Sequence, residues 1–595
     1  MFQFNPADDR QAKLGRRFFF LLGLLFLSPA GLAQADIFSL AEVRPGQQGY
    51  GVTAGPGNVL ERFSVEVLAV QEDLGPGFPL VLIRTGGDFI ERSGGVAAGM
   101  SGSPIYLDER LLGALAYAFP NSDHRLALVT PIEAILRTDP SAASAPPEGL
   151  AAGVVHEGHA LGPALPVRTP VLVSGLSGRA SEGLERLFAG EVLPIQSGRM
   201  SAQQDEAYSL EPGSAISVQL VRGDITIAAV GTVTHIEDGR LWAFGHPLLE
   251  RGAVSLALTP AYISHIVPSL SVPFKLANSG QRLLGSIVQD RPHGISGLLG
   301  QDPGFIPVSV TFSGPGGTLG KRFEVTADER FYAPLLFAAS LQALDEILEQ
   351  LDGGTVELAW EIVSAGETVR ILEQTADVGD IAVATASLAA SPLEVLATNA
   401  FSDPQVERVN LSISYEPAQR VAGIVRVVAE NEELEAGDTL IAHVRLQPYR
   451  AESQVETVRV AIPEDAPEGL FDISFRGGME PDPEGTAQGE NAIMAFSELL
   501  SALEEQVQAS ELVVEAYING DYRLLERVRL PFLVSGSESV LVTVLGPEGG
   551  EAAPAPEPFK EPGAEPEPPE PDPVPPSPLP LPHPSLGSYS FGSQP

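Results

Sequence analysis

The chain contains no cysteine among its 595 residues. This absence excludes disulfide bonds, thiolate metal sites and cysteine nucleophiles. Covalent catalysis by this protein would therefore have to use an oxygen nucleophile.

Basic residues are scarce. The chain has 36 Lys and Arg against 77 Asp and Glu, which gives a formal net charge of −41 at pH 7. Phosphate binding needs a basic stripe, and the sequence has none. We therefore predict neither a nucleic-acid partner nor an anionic membrane surface as a partner.

The common metal and phosphate motifs are also missing from the sequence. It contains no His-Glu-x-x-His motif, no EF-hand loop and no clustered His and Asp spacing. Glycines at residues 314–320 precede Lys321, but their order with proline is typical of a hairpin rather than of a phosphate loop. We predict that the protein uses no metal and no cofactor.

The N-terminus has the pattern of a Sec signal peptide. Basic residues including Lys13 precede the apolar run 18–27, and Ala33-Gln34-Ala35 gives the small-x-small pattern that signal peptidase accepts. The run is short for a bilayer span, and no later segment reaches about 18 uninterrupted apolar residues. We predict a cleaved signal over 1–35, no stable membrane span afterwards, and export to the periplasm, cell envelope or outside. A retained N-terminal anchor is the alternative.

Two β-rich blocks flank a link rich in Pro, Ala and Ser. Residues 37–136 and 213–310 contain short alternating or buried apolar runs separated by Gly and Pro turns. Residues 139–212 are interpreted as connecting structure, with one helix predicted over 180–187.

Serine 101 lies in the stretch Gly99-Met100-Ser101-Gly102-Ser103-Pro104. The flanking glycines permit positive φ, which lets consecutive N–H groups point at one spot beside the hydroxyl. Ser101 is therefore the candidate nucleophile, with its own N–H and that of Gly99 or Met100 as oxyanion donors. Ser103 is the alternative hydroxyl, and a simple turn between two strands is the structural alternative.

A histidine stands out in the second block, in Ala243-Phe244-Gly245-His246-Pro247. Its place between Gly and Pro, after an apolar strand, predicts a strand-end loop from which the ring can face a cleft. His246 is therefore the candidate general base. His235 lacks the flanking Gly and Pro. The alternative is that His246 is a purely structural histidine.

The two segments resemble the SpoIVB-type serine peptidases of bacterial sporulation and their exported relatives. Residues 93–105, followed by Leu112-Gly113-Ala114 and Pro131-Ile132-Glu133, resemble the nucleophile segment of that family. Residues 231–246 resemble its histidine segment, and 294–300 resemble a Gly-Ile-x-Gly run that follows it. The resemblance implies a chymotrypsin-like double β-barrel that cleaves a protein or peptide substrate.

The chain departs from the family in two ways. Ser101 precedes His246 here, whereas the histidine comes first in the sporulation peptidases, which suggests a circular permutation. Such a permutation does not forbid the chemistry, because a triad is defined by geometry. The position that matches the family's aspartate is Gly86, two residues before Asp88.

The acid behind the histidine stays open at this point. The candidates are Asp88, which is favoured by its nearness to the family position, Asp224 and Asp290. Asp290 is followed by Arg291, so a salt bridge is an equally good interpretation of it. A site without an orienting acid is a further alternative.

The C-terminal half shows no catalytic constellation. We predict helices over 334–351 and 492–507, and a β-sandwich of immunoglobulin-like type from about 406 to 475. Its expected role is structural or ligand-binding. The Pro- and Glu-rich residues from 547 onward predict a disordered tail.

The sequence thus predicts a mainly β protein with a circularly permuted, chymotrypsin-like double barrel. The expected function is an exported serine endopeptidase; the alternative is an inactive peptidase fold that serves as a cell-envelope binding or scaffold module. A cell-envelope protein partner is expected in either case. The predicted divisions are a signal peptide 1–35, a nucleophile half 36–138, a connecting segment 139–212, a histidine half 213–320, a helix-and-strand linker 321–400, a sandwich-like domain 401–546 and a tail 547–595.

Overall fold

A computed structural model gives the fold. The residues that it describes are 36–72, 77–119, 122–138, 154–156, 159–162, 165–167, 169–175, 179–180, 192–348, 353–481 and 495–546. The predicted signal peptide, the proline-rich tail and almost all of the helix predicted over 180–187 lie outside these residues.

Six antiparallel strands close into a first barrel, barrel 1. They pair in the order β4-β1-β2-β3-β6-β5, and β5 pairs with β4 to complete the ring. The strands are β1 (Gln48–Ala54), β2 (Leu60–Gln71), β3 (Leu80–Gly86), β4 (Pro104–Leu107), β5 (Arg110–Ala118) and β6 (Leu126–Pro131). Two short helices, α1 (Asp88–Ser93) and α2 (Ile132–Ile135), follow β3 and β6.

The connecting segment contributes strands to both barrels. β9 pairs with β5 of barrel 1, whereas β10 pairs with β13 of the second barrel. Its elements are β7 (Val154–His156), β8 (His159–Gly162), β9 (Leu165–Pro166), β10 (Thr169–Ser174), β11 (Val192–Gln196) and α3 (Ala202–Ala207).

Six further antiparallel strands close into barrel 2. They pair in the order β13-β14-β18-β17-β15-β12, and β12 pairs with β13. The strands are β12 (Ala215–Gly223), β13 (Thr226–Glu237), β14 (Arg240–Ala243), β15 (Gly252–Val267), β17 (Gly285–Arg291) and β18 (Gly294–Leu299); β16 (Phe274–Ser279) pairs with the second half of β15.

The barrels share apolar packing. One buried cluster combines barrel 1 side chains such as Val65 and Leu115 with Val230, Ile263 and Ala277 of barrel 2. The fold is therefore mainly β with a chymotrypsin-like double barrel, as predicted, and the serine-bearing barrel comes first in the chain.

The sheet of barrel 2 continues into an α+β layer through the pairing of β12 with β20. Its strands run in the order β20-β19-β23-β21-β22, and its two long helices pack on each other. The elements are β19 (Phe305–Gly314), β20 (Gly317–Thr326), α4 (Tyr332–Leu348), β21 (Gly354–Ser364), β22 (Glu367–Asp377), α5 (Ile381–Ala397) and β23 (Val406–Glu416).

One helical stretch among the described residues, Glu329–Leu348, is long and apolar enough to cross a membrane. It comprises a 3₁₀ turn (Glu329–Phe331) and α4. Its most apolar window is 61% buried inside the protein. That burial is typical of a core helix.

The C-terminal part forms a sandwich of a four-stranded and a five-stranded sheet around one apolar core. β23 was expected in this sandwich, but it pairs with β19 and β21 in the α+β layer. The sandwich consists of β24 (Val421–Ala429), β25 (Glu433–Glu435), β26 (Thr439–Pro448), β27 (Gln454–Ala461), β28 (Gly469–Gly477), β29 (Glu511–Ile518), β30 (Asp521–Arg529), β31 (Leu533–Ser535) and β32 (Ser537–Leu545). Helix α6 (Phe496–Glu505), which precedes β29 in the chain, packs on β22 of the α+β layer.

Candidate active site

The segment that carries Ser101, residues 94–103 between α1 and β4, is called the nucleophile loop. The Gly102 N–H donates to the Leu115 carbonyl of barrel 1 at 2.8 Å. The Ser101 carbonyl accepts the Thr232 N–H of barrel 2, also at 2.8 Å. Thr234 Oγ1 donates to the Gly102 carbonyl at 2.8 Å. The loop is therefore fixed to both barrels at their junction.

Gly102 marks the closest approach between the nucleophile loop and barrel 2. Its φ is +92°, and a methyl group built there would overlap the Thr232 carbonyl oxygen and the backbone nitrogen of Phe244. A side chain at this position would push the two segments apart. The glycines that flank Ser101 in the sequence thus permit close contact between the barrels as well as the conformation of the loop.

Two N–H groups of the nucleophile loop differ from the others in lacking a hydrogen-bond partner within the described part of the chain. The Met100 N–H donates to the Ala97 carbonyl at 3.0 Å. The N–H groups of Gly99 and Ser101 have no acceptor among the described residues. Gly99 and Ser101 are separated by one residue and lie close in the chain to the Ser101 hydroxyl. Their N–H groups are therefore suited to bind an oxyanion. The structure thus favours Gly99 over Met100, the choice that the sequence left open.

His246 lies in the histidine loop, residues 244–251 between β14 and β15. Phe244 and Gly245 both have positive φ, +69° and +72°. Positive φ is an unfavourable backbone state for phenylalanine, and such outliers cluster at functional sites. Thr130 Oγ1 of barrel 1 holds the Gly245 carbonyl at 2.7 Å. The imidazole lies beside Tyr117 of barrel 1, with ring centroids 6.3 Å apart.

Thr232 joins the nucleophile loop to the histidine loop. Its N–H donates to the Ser101 carbonyl, and its carbonyl accepts the Phe244 N–H at 3.3 Å. Ser101 and His246 are 0% and 1% exposed. Ser101 Oγ and His246 Nε2 have no hydrogen-bond partner within the part of the chain that the structure describes. The structure therefore brings the two sequence-predicted residues to one junction, with both reactive atoms unpaired.

A backbone carbonyl fixes the tautomer of His246. The ring Nδ1 lies 2.6 Å from the Pro247 carbonyl oxygen. Since a carbonyl can only accept, Nδ1 carries the proton, and Nε2 of the neutral ring presents a lone pair. Burial lowers the pKa of His246 to about 4, while the bond to Pro247 opposes the shift. Nε2 is thus a base at neutral pH.

Asp290 holds the histidine loop. Its carboxylate accepts the N–H groups of Leu248 and Leu249 at 2.8 Å and that of Arg251 at 3.3 Å. Burial raises the pKa of Asp290, and these three bonds oppose that rise. Asp290 does not bond the imidazole; it fixes the chain directly after the Pro247 carbonyl. It thus holds the backbone of the loop that carries His246.

The other two predicted acids lie elsewhere. Asp88 is exposed in the first turn of α1. Asp224 is also exposed, and its carboxylate accepts the Arg322 N–H at 2.8 Å. Neither makes a hydrogen bond or an ion pair with the histidine loop among the described residues.

Among the described residues, neither a metal-binding cluster nor a surface cavity on barrel 1 coincides with this junction. The described residues contain no group of three or more His, Asp or Glu arranged to hold a metal ion. A cavity of about 830 Å³ lies on barrel 1, lined in part by the ion pairs Arg84–Glu66 and Arg125–Asp123. Ser101 and His246 do not line it.

Substituting Asp290 tests its positioning role. We expect Asp290→Ala to reduce the free energy of unfolding by about 2 kcal/mol or more, because one buried and two partly buried N–H groups lose their acceptor. Activity should fall as well, since the Pro247 carbonyl is no longer held. Thermal unfolding and peptidase rates measure both effects. Asp88→Ala and Asp224→Ala are matched controls that should leave the rates nearly unchanged. A larger rate loss for Asp88→Ala than for Asp290→Ala would contradict the assignment.

Comparison with known proteins bears on barrel 1. No curated protein matches the chain. The model of the family SpoIVB peptidase S55 matches residues 33–130, which include Ser101 and almost all of barrel 1, whereas His246 and Asp290 lie beyond the match. The serine-bearing barrel is therefore similar to the SpoIVB peptidase S55 family, and this match supports a peptidase at the level of the family.

Proposed function

We propose that the protein is an exported serine endopeptidase, with Ser101 as nucleophile, His246 as general base and Asp290 as the acid that positions the histidine loop. One observation carries the proposal. The unpaired Ser101 hydroxyl and the unpaired Nε2 of His246 lie on segments joined through Thr232, beside two free N–H groups.

The arrangement supports acyl transfer. Ser101 Oγ forms a bond to the scissile carbonyl carbon while its proton moves to His246 Nε2. The carbonyl oxygen becomes an oxyanion, which the Gly99 and Ser101 N–H groups stabilise. The C–N bond then breaks, and Nε2 returns the proton to the leaving amine. Water repeats the sequence on the acyl-enzyme and releases the acid. Throughout, Nδ1–H stays bonded to the Pro247 carbonyl.

Substrate entry requires the junction to open, because Ser101 and His246 are buried. The segment over β9 and β10 lies against this site. The Val167 N–H donates to the Ala116 carbonyl at 2.8 Å. A methyl group built on Gly99 would lie 3.3 Å from Pro170 Cγ. An extended substrate would have to displace part of this segment to reach Ser101.

Export rests on the N-terminal sequence, where a basic stretch, an apolar run and Ala33-Gln34-Ala35 follow in the order of a signal peptide. Proteins of the periplasm, cell envelope or exterior are the proposed substrates. The sandwich around β24–β32 would serve a structural or ligand-binding role, for example toward a cell-envelope protein.

The test of the proposed function is cleavage of a protein substrate. We expect the purified chain to cut denatured casein and to form a covalent adduct with a fluorophosphonate, whereas heat-unfolded enzyme does neither. A folded protein that does neither would contradict the proposal and favour the inactive binding or scaffold alternative.

The pH dependence follows from the burial of His246. Its pKa is lowered to about 4, so the base stays unprotonated well below the ordinary value near 6.5. We expect the rate constant for fluorophosphonate labelling to fall only as pH drops through about 4, because Nε2 then carries a proton and cannot accept one from Ser101. Labelling should be followed from pH 3.5 to 8, with circular dichroism to monitor the fold. A decline centred near 6.5 would contradict the buried, neutral histidine.

A further inference from the structure

Lys275 on β16 is a buried cation beside the nucleophile loop. It is 0% exposed, and its Nζ donates to Thr53 Oγ1 at 2.7 Å. No carboxylate lies within ion-pair distance of it among the described residues. Its stem packs on the loop, since a methyl group built on Gly99 would lie 3.3 Å from Lys275 Cδ. Burying an amine without a counter-charge is unfavourable, so the burial of Lys275 and its hydrogen bonds require an explanation.

The backbone of Lys275 holds one peptide of the oxyanion site. The Lys275 N–H donates to the Ala98 carbonyl at 3.0 Å. This carbonyl and the Gly99 N–H belong to the same planar, trans peptide unit and point in opposite directions. Fixing the Ala98 carbonyl therefore fixes the direction of the free Gly99 N–H.

The side chain of Lys275 reaches the second peptide through two hydroxyls. Ser103 Oγ lies 2.6 Å from the Met100 carbonyl and 3.0 Å from Thr53 Oγ1. Ser103 Oγ is the donor in both contacts, so its hydroxyl proton is shared between the Met100 carbonyl and Thr53 Oγ1, and Thr53 Oγ1 accepts from both Ser103 and Nζ. The Met100 carbonyl shares its peptide unit with the Ser101 N–H. The Met100 carbonyl also accepts the Ser103 N–H at 2.9 Å, and the side-chain relay adds a second hydrogen bond that fixes the direction of the Ser101 N–H.

We propose that Lys275 is the positioning residue of the oxyanion site: its N–H orients the Gly99 N–H, and its ammonium orients the Ser101 N–H through Thr53 and Ser103. The inference rests on the proposed peptidase function. It explains why a buried lysine makes its Nζ hydrogen bond to a hydroxyl rather than to a carboxylate. The proposal also gives a role to Ser103, which the sequence offered as the alternative nucleophile. In this role Ser103 orients the loop, and Ser101 remains the nucleophile.

The experiment measures the second-order rate constant of fluorophosphonate labelling in the full chain. We expect Lys275→Met and Thr53→Val each to lower it by about 10- to 100-fold, less than the loss from deleting an oxyanion donor outright. Thr53→Ser, which keeps the hydroxyl, should restore most of the rate. In casein cleavage the loss should fall on kcat with KM nearly unchanged, because the oxyanion exists only during reaction.

Lys321→Met is the matched control, because Lys275 and Lys321 are the lysines of the described residues and Lys321 pairs with Glu346 at 2.6 Å in the α+β layer. It should leave the rate unchanged. If Lys275→Met fails to fold, Thr53→Val and its rescue by serine decide the question.

The outcomes separate the two proposals. Wild-type protein that is not labelled at Ser101 would overturn the peptidase function and the positioning role with it. If the wild type is labelled at Ser101, and the folded Lys275→Met and Thr53→Val variants are labelled at the wild-type rate, the positioning role alone is overturned.

A relay also predicts that the effects of two substitutions are not additive. The double variant Lys275→Met/Ser103→Ala should be labelled about as slowly as the slower of the two single variants. A rate loss equal to the product of the two single losses would contradict the relay.

Discussion

Ser101→Ala is expected to abolish covalent labelling and to lower casein cleavage by about 10⁶-fold, the size of loss seen when the serine of a working triad is removed. The reason is that, of the two serine hydroxyls in the nucleophile loop, only that of Ser101 is unpaired among the described residues. Ser101 Oγ is unpaired, whereas Ser103 Oγ is engaged by Thr53 and the Met100 carbonyl. Labelling followed by mass spectrometry, together with fragment release from casein, measures the effect.

Ser103→Ala is the matched control for that variant, two residues away on the same loop. It should slow labelling only by the amount that its relay role predicts, and the adduct should stay on Ser101. Retained labelling in Ser101→Ala, or complete loss in a folded Ser103→Ala, would reverse the assignment of the nucleophile.

His246→Gln is expected to have the second large effect, a loss in labelling rate and in kcat of about 10⁴- to 10⁶-fold. Glutamine fills similar space but cannot take the serine proton at Nε2 and return it to the leaving amine. The fold should survive, because Asp290 holds the histidine loop through backbone N–H groups rather than through the ring.

His235→Gln provides the comparison for the histidine. His235 is also buried in barrel 2, where its ring stacks on Trp242 with centroids 5.6 Å apart. Its replacement should leave the labelling rate within a few-fold of wild type. Equal losses in the two variants would show that the effect is structural, and a His246→Gln rate close to wild type would remove the general base from the mechanism.

Much of the fold follows from local pattern. Apolar runs predicted several strands of each barrel, and the leucine spacing of 334–351 predicted the helix found as α4 (Tyr332–Leu348). Ring closure did not follow, because the pairings of β4 with β5 and of β12 with β13 depend on register. β23 shows the same limit: its alternation marks a strand with one buried face but not the sheet that receives it.

The same distinction applies to the candidate site, where some residues follow from local sequence pattern and others do not. Ser101 and His246 sit in short Gly and Pro frames that a sequence displays directly. Asp290 reaches the histidine loop through strand register alone: it pairs with Ile295, which pairs with Ala243, the last residue of β14 before that loop. The Pro247 carbonyl and the free N–H groups are backbone atoms, for which residue type gives little signal. Lys275 was missed because nothing near it in the chain indicates contact with Gly99.

The central claim is that Ser101 is a nucleophile activated by His246, and mapping the fluorophosphonate adduct tests it most directly. Wild-type chain is labelled, digested and sequenced by mass spectrometry, with His246→Gln treated in parallel. The account predicts one adduct, on Ser101, formed far more slowly in the histidine variant. An adduct on another residue, or none on a folded protein, would contradict it.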